Sequence, residues 1–386
     1  MDQALIADLE AHRGNMQTWF EWLHQHPELS GQETETANHI ANLLEGWGYD
    51  VVRNIGGTGI VATMKCGDGT ATIGLRSELD ALPIQEDGPC QTPSLKPGVS
   101  HLCGHDGHMT MLLGAAEYLA RTKNFNGTLR LIFQPAEENF TGALAMIDDG
   151  LFERFPVDAL FGMHNSAGRE PKKIFLKSGS LLNAADKIFI TVKGVGAHGG
   201  FPHLGCDPVV AGASIVMALQ TIVSRNINPQ DIGIITVGAF NAGVVENIIP
   251  ETAELKLSVR SASPEGHELL IRRIYEVAEN QAKAFGCTVE IEHPLEGKVV
   301  VNDEDLKQKV VELATERLGA ENVDPVGFRE MASEDFANYC GIVPTFYAMI
   351  GNGEGPVNHN PAYTFCQDDF VMGAAYWVTI AEGFLA

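Results

Sequence analysis

The sequence predicts a two-domain α/β protein: a larger α/β unit built on a buried mixed sheet, interrupted by a smaller two-layer unit of βαββαβ order. Three observations predict it. Apolar, β-branched runs of strand length alternate with helical stretches over roughly the first 180 residues. The pattern shifts near Asn183 to strands and two helices in βαββαβ order, and from residue 293 it returns to a helix and an apolar strand. The expected division is 1–182 with 293–386 as one domain and 183–292 as an insertion. At 386 residues and 45% hydrophobic, the chain can bury a large core.

Taken in order, residues 2–26 carry Leu5, Leu9, Trp19, Trp22 and Leu23 at helical spacing, and HQHPELSGQE breaks that helix at Pro27 and Gly31. A second amphipathic helix is expected over Thr34–Trp47, closed by Gly48. YDVVRNI, GIVATMKC and ATIGLRSEL read as strands, and a helix follows from Met109. TLRLIFQ (128–134) and ALFGMH (159–164) are further strands. In the insertion, DKIFITVKGV, Gly233–Phe240, ELKLSVR and CTVEIEH are strands. Pro208–Asn226 is a helix, and a second one starts at Ser263 with Pro264 in its first turn. The chain returns through a helix near Asp305–Leu318 and a strand TFYAMIG.

Charge and cysteine usage narrow the function. Lys plus Arg number 26 against 50 Asp plus Glu, a net charge of -24, which disfavours nucleic acid and anionic membrane as partners. Seven scattered cysteines and an acidic, polar N-terminus without an apolar signal run lead to the expectation of a reducing, cytoplasmic setting. The apolar run Val209–Val223 is too short to span a bilayer.

The chemistry concentrates in His101–His108, HLCGHDGH, where a Cys, three His and an Asp fall within eight residues ahead of an apolar helix. Singly, each reads better as a buried thiol or a surface imidazole; together they read as a metal site. Cys103 and His105 stand two apart, so an extended backbone would turn both to one face. Thiolate beside imidazole suits Zn, Ni, Co or Mn better than Mg or Ca. PAEE follows one strand and HN ends another. Glu137, Glu138 and His164 are thus expected at strand ends, where α/β sheets collect ligands, as is Asp80 after LRSEL.

HLCGHDGH, FQPAEE, GMHN, GVGAHGGFPH and VNHNPAYTF occur in an order that resembles the co-catalytic metallo-amidohydrolases and carboxypeptidases. That family includes hippurate hydrolases, auxin-conjugate hydrolases and N-acyl amino acid amidohydrolases. The resemblance covers essentially the whole chain. It implies two divalent ions per subunit (Mn, Zn, Ni or Co) held by Cys103, His105, Glu138, His164 and His359, with a bridging hydroxide as nucleophile. It also implies Glu137 as general base, Asp80 as a carboxylate orienting a ligand, and His198 as an oxyanion stabiliser reaching across a dimer. Asn247 and Arg260 match substrate-binding positions, and Arg suits a carboxylate. His101, His108 and His203 are expected to support the site. The insertion then reads as a lid or dimerisation domain in a homodimer, with a tetramer as the alternative.

Two departures stand out. Glu78 occupies a position where the family usually has Asp, and Phe140 follows PAEE where relatives often carry glycines. The expected reaction is hydrolysis of the amide of a small N-acyl amino acid. A metallo-carboxypeptidase or dipeptidase is the alternative within the class. Outside it stand a Cys103 thiol hydrolase and a catalytically silent metal- or ligand-binding protein.

Overall fold

A computed structural model describes residues 1–88 and 92–386, so Cys90 lies outside the described residues; the six other cysteines are unpaired thiols. The chain forms a mixed α/β structure of two compact units. One comprises Met1–Leu181, Val301–Arg329 and Asn338–Ala386; the other comprises Leu182–Val300 and Glu330–Ala337.

The first unit opens with α1 (Gln3–Ala11) and α2 (Arg13–Gln25), where the sequence suggests one helix. His12 separates them, its ring Nδ1 2.8 Å from the Asp8 carbonyl. Next come α3 (Thr34–Gly46), β1 (Asp50–Ile55), β2 (Gly59–Cys66), β3 (Thr72–Glu78), α4 (His105–Thr122) and β4 (Gly127–Gln134). They are followed by α5 (Gly142–Asp148), α6 (Leu151–Arg154), β5 (Ala159–Ser166), β6 (Ile174–Phe175) and β7 (Gly179–Leu182). Helix α4 starts at His105, not Met109: the second half of the HLCGHDGH motif is itself the first helical turn.

The second unit contributes β8 (Ala184–Lys193), β9 (Ala197–His198), α7 (Pro208–Arg225), β10 (Gly233–Ala242), β11 (Ile248–Ile249), β12 (Thr252–Ser261), α8 (Pro264–Ala284) and β13 (Thr288–Leu295). The remainder is β14 (Val300–Asn302), α9 (Glu304–Leu318), β15 (Val323–Asp324), β16 (Thr345–Gly351) and α10 (Phe370–Phe384).

The larger sheet runs β1-β2-β4-β3-β5-β16-β6-β15. Its middle four strands, β4, β3, β5 and β16, are mutually parallel, while β1, β2 and β6 pair antiparallel to their neighbours on the β4 and β16 sides. These central strands are buried along nearly their whole length, which explains their continuous apolar runs. Helix α10 is apolar all round and almost wholly buried, its Phe370, Trp377 and Ile380 joining the same core as Met111 and Leu112 of α4.

In the second unit an antiparallel sheet β10-β12-β8-β13 is covered by α7 and α8. Leu255, Leu257 and Val259 of β12 alternate inward against Ile215 and Leu219 of α7 and Ile274 of α8. By length and composition α7 is apolar enough to cross a membrane, with a mean hydropathy of 1.4. Its Ala211, Ile215, Leu219 and Ile222 form a buried stripe against the sheet.

Candidate active site

The parallel strands deliver the chemistry at their carboxyl ends. Asp80 lies two residues beyond β3, Glu137 and Glu138 follow β4, and His164 is near the C-terminal end of β5. Cys103 and His105 sit at the entrance of α4. They converge across Gly104 (φ 98), a left-handed helix start, and not along an extended segment as the spacing suggested. A side chain at 104 is excluded twice over, since a Cβ there would lie 2.6 Å from Asn165 Oδ1.

Among the described residues, two of the groups of donor atoms close enough to share an ion contain Cys103: Cys103 with His105 and His164, and Cys103 with Glu138 and His359. Cys103 Sγ is 3.5 Å from His164 Nε2 and 3.3 Å from His359 Nε2. His359 Nε2 is 3.4 Å from Glu138 Oε1. His105 Nε2 is 3.9 Å from both Glu137 Oε2 and Glu138 Oε1.

The three separations of 3.3–3.5 Å around Cys103, His164, His359 and Glu138 fit shared ions. Donors about 2.0–2.3 Å from one cation at tetrahedral angles stand about 3.3–3.8 Å apart. Two further facts point the same way. Among the described residues, His105 Nε2 and Glu138 Oε1 are buried without a hydrogen-bond partner. His105 Nδ1–H donates to the Asp80 carbonyl at 2.8 Å and His164 Nδ1–H to the Asn165 carbonyl at 2.7 Å, so both rings present Nε2 lone pairs inward.

His359 has φ 69, a left-handed conformation unusual for a non-glycine, pinned by its own N–H to the Leu102 carbonyl at 2.8 Å. Asn358 Nδ2 donates to the Cys103 carbonyl at 2.7 Å, tying the His359 segment to the Cys103 loop a second time.

The charges around these atoms call for a cation. Burial, then Glu138 and Glu137, push the Cys103 thiol well above its usual range. Burial works against a charged His105, yet its bond to Asp80 and the nearby Glu78 and Glu138 carry it up to about 10. Burial lowers His164 well below its ordinary value, with the His108 charge adding to the effect.

Asp80 touches two of the ligand-bearing segments. Its carbonyl accepts from His105, and its Oδ2 accepts from the Glu138 N–H at 3.0 Å and from Ser30 Oγ at 2.7 Å. Glu78 enters a buried cluster with Arg76 Nη1, the Tyr347 hydroxyl at 3.2 Å and His108 Nδ1 at 3.0 Å. His108 in turn reaches Asn165 Oδ1 at 2.9 Å, next to His164. His101 is buried with neither ring nitrogen hydrogen-bonded among the described residues, and burial lowers it to about 4.

Beyond the end of β4 the two glutamates lie in a turn. Ala136 (φ 52) and Phe140 (φ 63) are both left-handed, and the Phe140 N–H closes on the Glu137 carbonyl at 2.8 Å. Phe140 adopts that conformation half-buried.

His198, Asn247 and Arg260 belong to the second unit. The β9–β11 ribbon brings the first two together: His198 pairs with Ile248, and the Gly199 N–H donates to the Asn247 carbonyl at 2.8 Å. The exposed His198 ring accepts the Gly200 N–H on Nδ1 at 3.0 Å, which places its proton on Nε2. Arg260, half-buried on β12, donates to Ser333 Oγ at 2.7 Å. His203 lies exposed in the short helical turn Pro202–Leu204.

Sequence reasoning missed Ser30 and Glu33, which the break HQHPELSGQE hides in an aperiodic stretch, and Asn358 and Tyr363, which flank the Cys103 loop.

The family model of peptidase family M20/M25/M40 matches residues 74–383. The chain belongs to that family. It is an amidohydrolase of the metallopeptidase type, similar to the hippurate hydrolase of Campylobacter jejuni (40% identity over 381 residues, 99% of each chain). It is also similar to the N-acetyl-L-cysteine deacetylase of Bacillus subtilis (35% identity, 92% of this chain and 84% of that one). Among solved structures, the Bacillus subtilis YXEP protein, described as a dinuclear metal binding peptidase from this family, superposes with a TM-score of 0.84. It is 29% identical and aligns over 97% of this chain and 99% of its own. For this M20/M25/M40 member the family match and the paired donor groups agree on a metal-binding hydrolase fold.

Proposed function

We propose that this enzyme hydrolyses the amide bond of small N-acyl amino acids, releasing a carboxylic acid and an amino acid, with two divalent ions in the Cys103 pocket. The observation that carries the reading is the pair of donor groups sharing Cys103, with two orphaned buried atoms aimed into them. Cys103, His105 and His164 would hold one ion, and Cys103, Glu138 and His359 the other. The donor set of thiolate, imidazole and carboxylate suits Mn, Zn, Ni or Co. Such ions polarise a carbonyl and bring the pKa of water to about 7.

The protein's own groups do the rest. Glu137, whose Oε2 stands 3.9 Å from His105 Nε2, takes the proton from the attacking water and returns it to the leaving amine. His198 presents Nε2–H as a donor to the tetrahedral oxyanion, the tautomer that its Gly200 contact enforces. Asn247 and Arg260 bind the amide and free carboxylate of the substrate. The Ser333 bond uses one of the five guanidinium donors of Arg260. Asp80 orients His105 and the Glu138 backbone. A carboxypeptidase or dipeptidase would use the same machinery with a peptide in place of the acyl group.

The family relatives support the substrate class, since their names include hydrolases of hippurate and deacetylases of N-acetylcysteine. The first unit would be catalytic and the second a lid and dimerisation domain. A homodimer is favoured by the edge strand β10, whose ten residues carry no charge, while the opposite edge β13 is guarded by Glu290 and Glu292. Val210, Met217 and Phe240 of the same unit are exposed apolar residues.

The test is hydrolysis of benzoylglycine, a panel of acetyl- and aroyl-amino acids, and dipeptides by the purified protein, untreated, chelated, and reloaded with Mn or Zn. Activity lost on chelation and restored by metal supports the reading, and the preferred compound names the substrate. Activity indifferent to chelation would overturn it.

A further inference from the structure

We infer that Glu33 is a positioning residue for Glu137: its carboxylate holds the Ala136 N–H and thereby sets the turn that aims the base. The inference rests on Glu137 being the base, as proposed above.

The turn after β4 is not a conformation this sequence would adopt on its own. Within five residues both Ala136 (φ 52) and Phe140 (φ 63) are left-handed, a region that L-residues with a Cβ avoid. Pro135 has no N–H with which to anchor the entry to the turn. Gly142 is packed so tightly beneath it that a Cβ there would come within 1.6 Å of the Pro135 carbonyl oxygen. Bonds within the turn, from the Phe140 N–H to the Glu137 carbonyl and from the Gly142 N–H to the Ala136 carbonyl, close it, and groups outside the turn hold it as well.

Two buried carboxylates do so, one on each side of Glu137. The Ala136 N–H donates to Glu33 Oε1 at 2.8 Å, and the Glu138 N–H donates to Asp80 Oδ2 at 3.0 Å. Glu137 is thus the residue between two clamped amides. Glu33 comes from far away in the sequence, at the entrance of α3, and is fully buried. It is itself braced: the Gly31 N–H reaches the same Oε1 at 2.8 Å, and Thr58 Oγ1–H donates to Oε2 at 2.6 Å.

Hydrogen bonds to an ionised acceptor are about twice as strong as neutral ones, which suits a clamp that must keep two strained residues in place. A carboxylate is costly to bury, and its proximity to Asp80 adds to that cost. Of the places it could be spent, this one fixes the backbone beside the proton-transfer group. Displacement of such a group by about 1 Å is enough to cost about a hundredfold in rate.

The experiment compares wild type, Glu33→Ala, Glu33→Gln, Glu33→Asp, the double variant Glu33→Ala/Ala136→Gly, and Glu137→Gln. Each is measured for kcat and KM on the acyl amino acid turned over fastest in the panel above, for metal per chain, and for melting temperature. Glu33→Ala should lower kcat by about tenfold to a hundredfold with KM within about threefold and metal content unchanged. Glu33→Gln, which keeps an acceptor at Oε1, should restore most of the rate. Glycine at 136, free to adopt positive φ without help, should recover at least about fivefold in the double variant.

If Glu33→Ala does not fold, Glu33→Asp takes its place, because the shorter side chain withdraws the acceptor while keeping the charge. Wild-type kcat in Glu33→Ala or, in its place, Glu33→Asp would overturn the inference. So would a Gln variant and a double variant that are no better than Glu33→Ala. A fully active Glu137→Gln would instead remove the base itself, whereas an inactive one beside an active Glu33→Ala would overturn only the clamp.

Discussion

The Nδ1–H of His105 donates to the main-chain carbonyl of Asp80 at 2.8 Å, and the side chain of the same Asp80 accepts the N–H of Glu138 at 3.0 Å. One residue at the end of β3 therefore sets both a ring nitrogen and a carboxylate that face the pocket. Burial works against the Asp80 carboxylate, yet His105, the Ser30 hydroxyl and the Glu138 amide keep its pKa below the ordinary value. Asp80→Ala leaves the carbonyl to His105 but frees the Glu138 amide and the Ser30 hydroxyl. Partners of this kind contribute about 10–100-fold in metal affinity or activity. Competition titration against a metal-binding dye should show a loss of that size; unchanged affinity together with unchanged kcat would remove Asp80 from the site.

Cys103 belongs to both donor groups, so its replacement should affect both ions together, whereas loss of His164 or His359 should affect one. Metal analysis of Cys103→Ala is expected to show less than one ion per chain, against about one for His359→Ala. Bound ions stabilise the native state by mass action, about 2.7 kcal/mol at a hundred times Kd. The Cys103 variant should therefore lose the metal-dependent rise in melting temperature. An alanine variant that keeps two ions per chain and loses only activity would favour the thiol-nucleophile reading.

Glu137 and Glu138 are neighbours with different surroundings: Glu138 Oε1 is buried and unpartnered 3.4 Å from His359, while Glu137 stands 3.9 Å from His105. Glu137→Gln should cut kcat by about 10²–10⁴-fold with two ions still bound. Glu138→Gln should lose metal first and activity as a consequence. Metal stoichiometry measured beside kcat separates the two, and a reversal of the pattern would exchange their roles.

The sheet was legible because its central strands are buried on both faces and read as unbroken apolar runs; β16 spans the same residues, 345–351, as the run TFYAMIG. Strand β12 was legible for the opposite reason, a strict alternation on a one-sided sheet. Helix α10 was not, since a helix apolar on every face has no period to detect.

At the site, the metal-type residues announced themselves by clustering. The residues that hold them did not. Glu33 reaches Ala136 across 103 positions, and Ser30 reaches Asp80 across 50, contacts that no local pattern encodes. The left-handed Ala136, Phe140 and His359 were equally hidden, because each is imposed by tertiary bonds on a residue with no preference for that conformation.

Asp369, at the entrance of α10, gives a pH dependence whose sign can be worked out. It is fully buried, its Oδ1 accepts the Lys172 N–H, and among the described residues its Oδ2 has no hydrogen-bond partner. Burial pushes it up to about 7, only partly offset by the Lys172 amide and by Cys366. A carboxyl group of folded pKa about 7 and unfolded pKa 3.8 holds more protons folded than unfolded throughout that interval. Its contribution to stability is therefore full below about pH 4 and is progressively lost as pH rises towards 7. Each unit of difference corresponds to about 1.4 kcal/mol, so the loss is on the order of a few kcal/mol. Asp369→Asn removes this titration. Denaturation of both proteins across pH 5–8 should show the variant gaining on wild type as pH rises, with the difference levelling off above pH 7. A difference that stays flat across the range would mean that Asp369 is ionised throughout and that some group not yet identified pairs with its Oδ2.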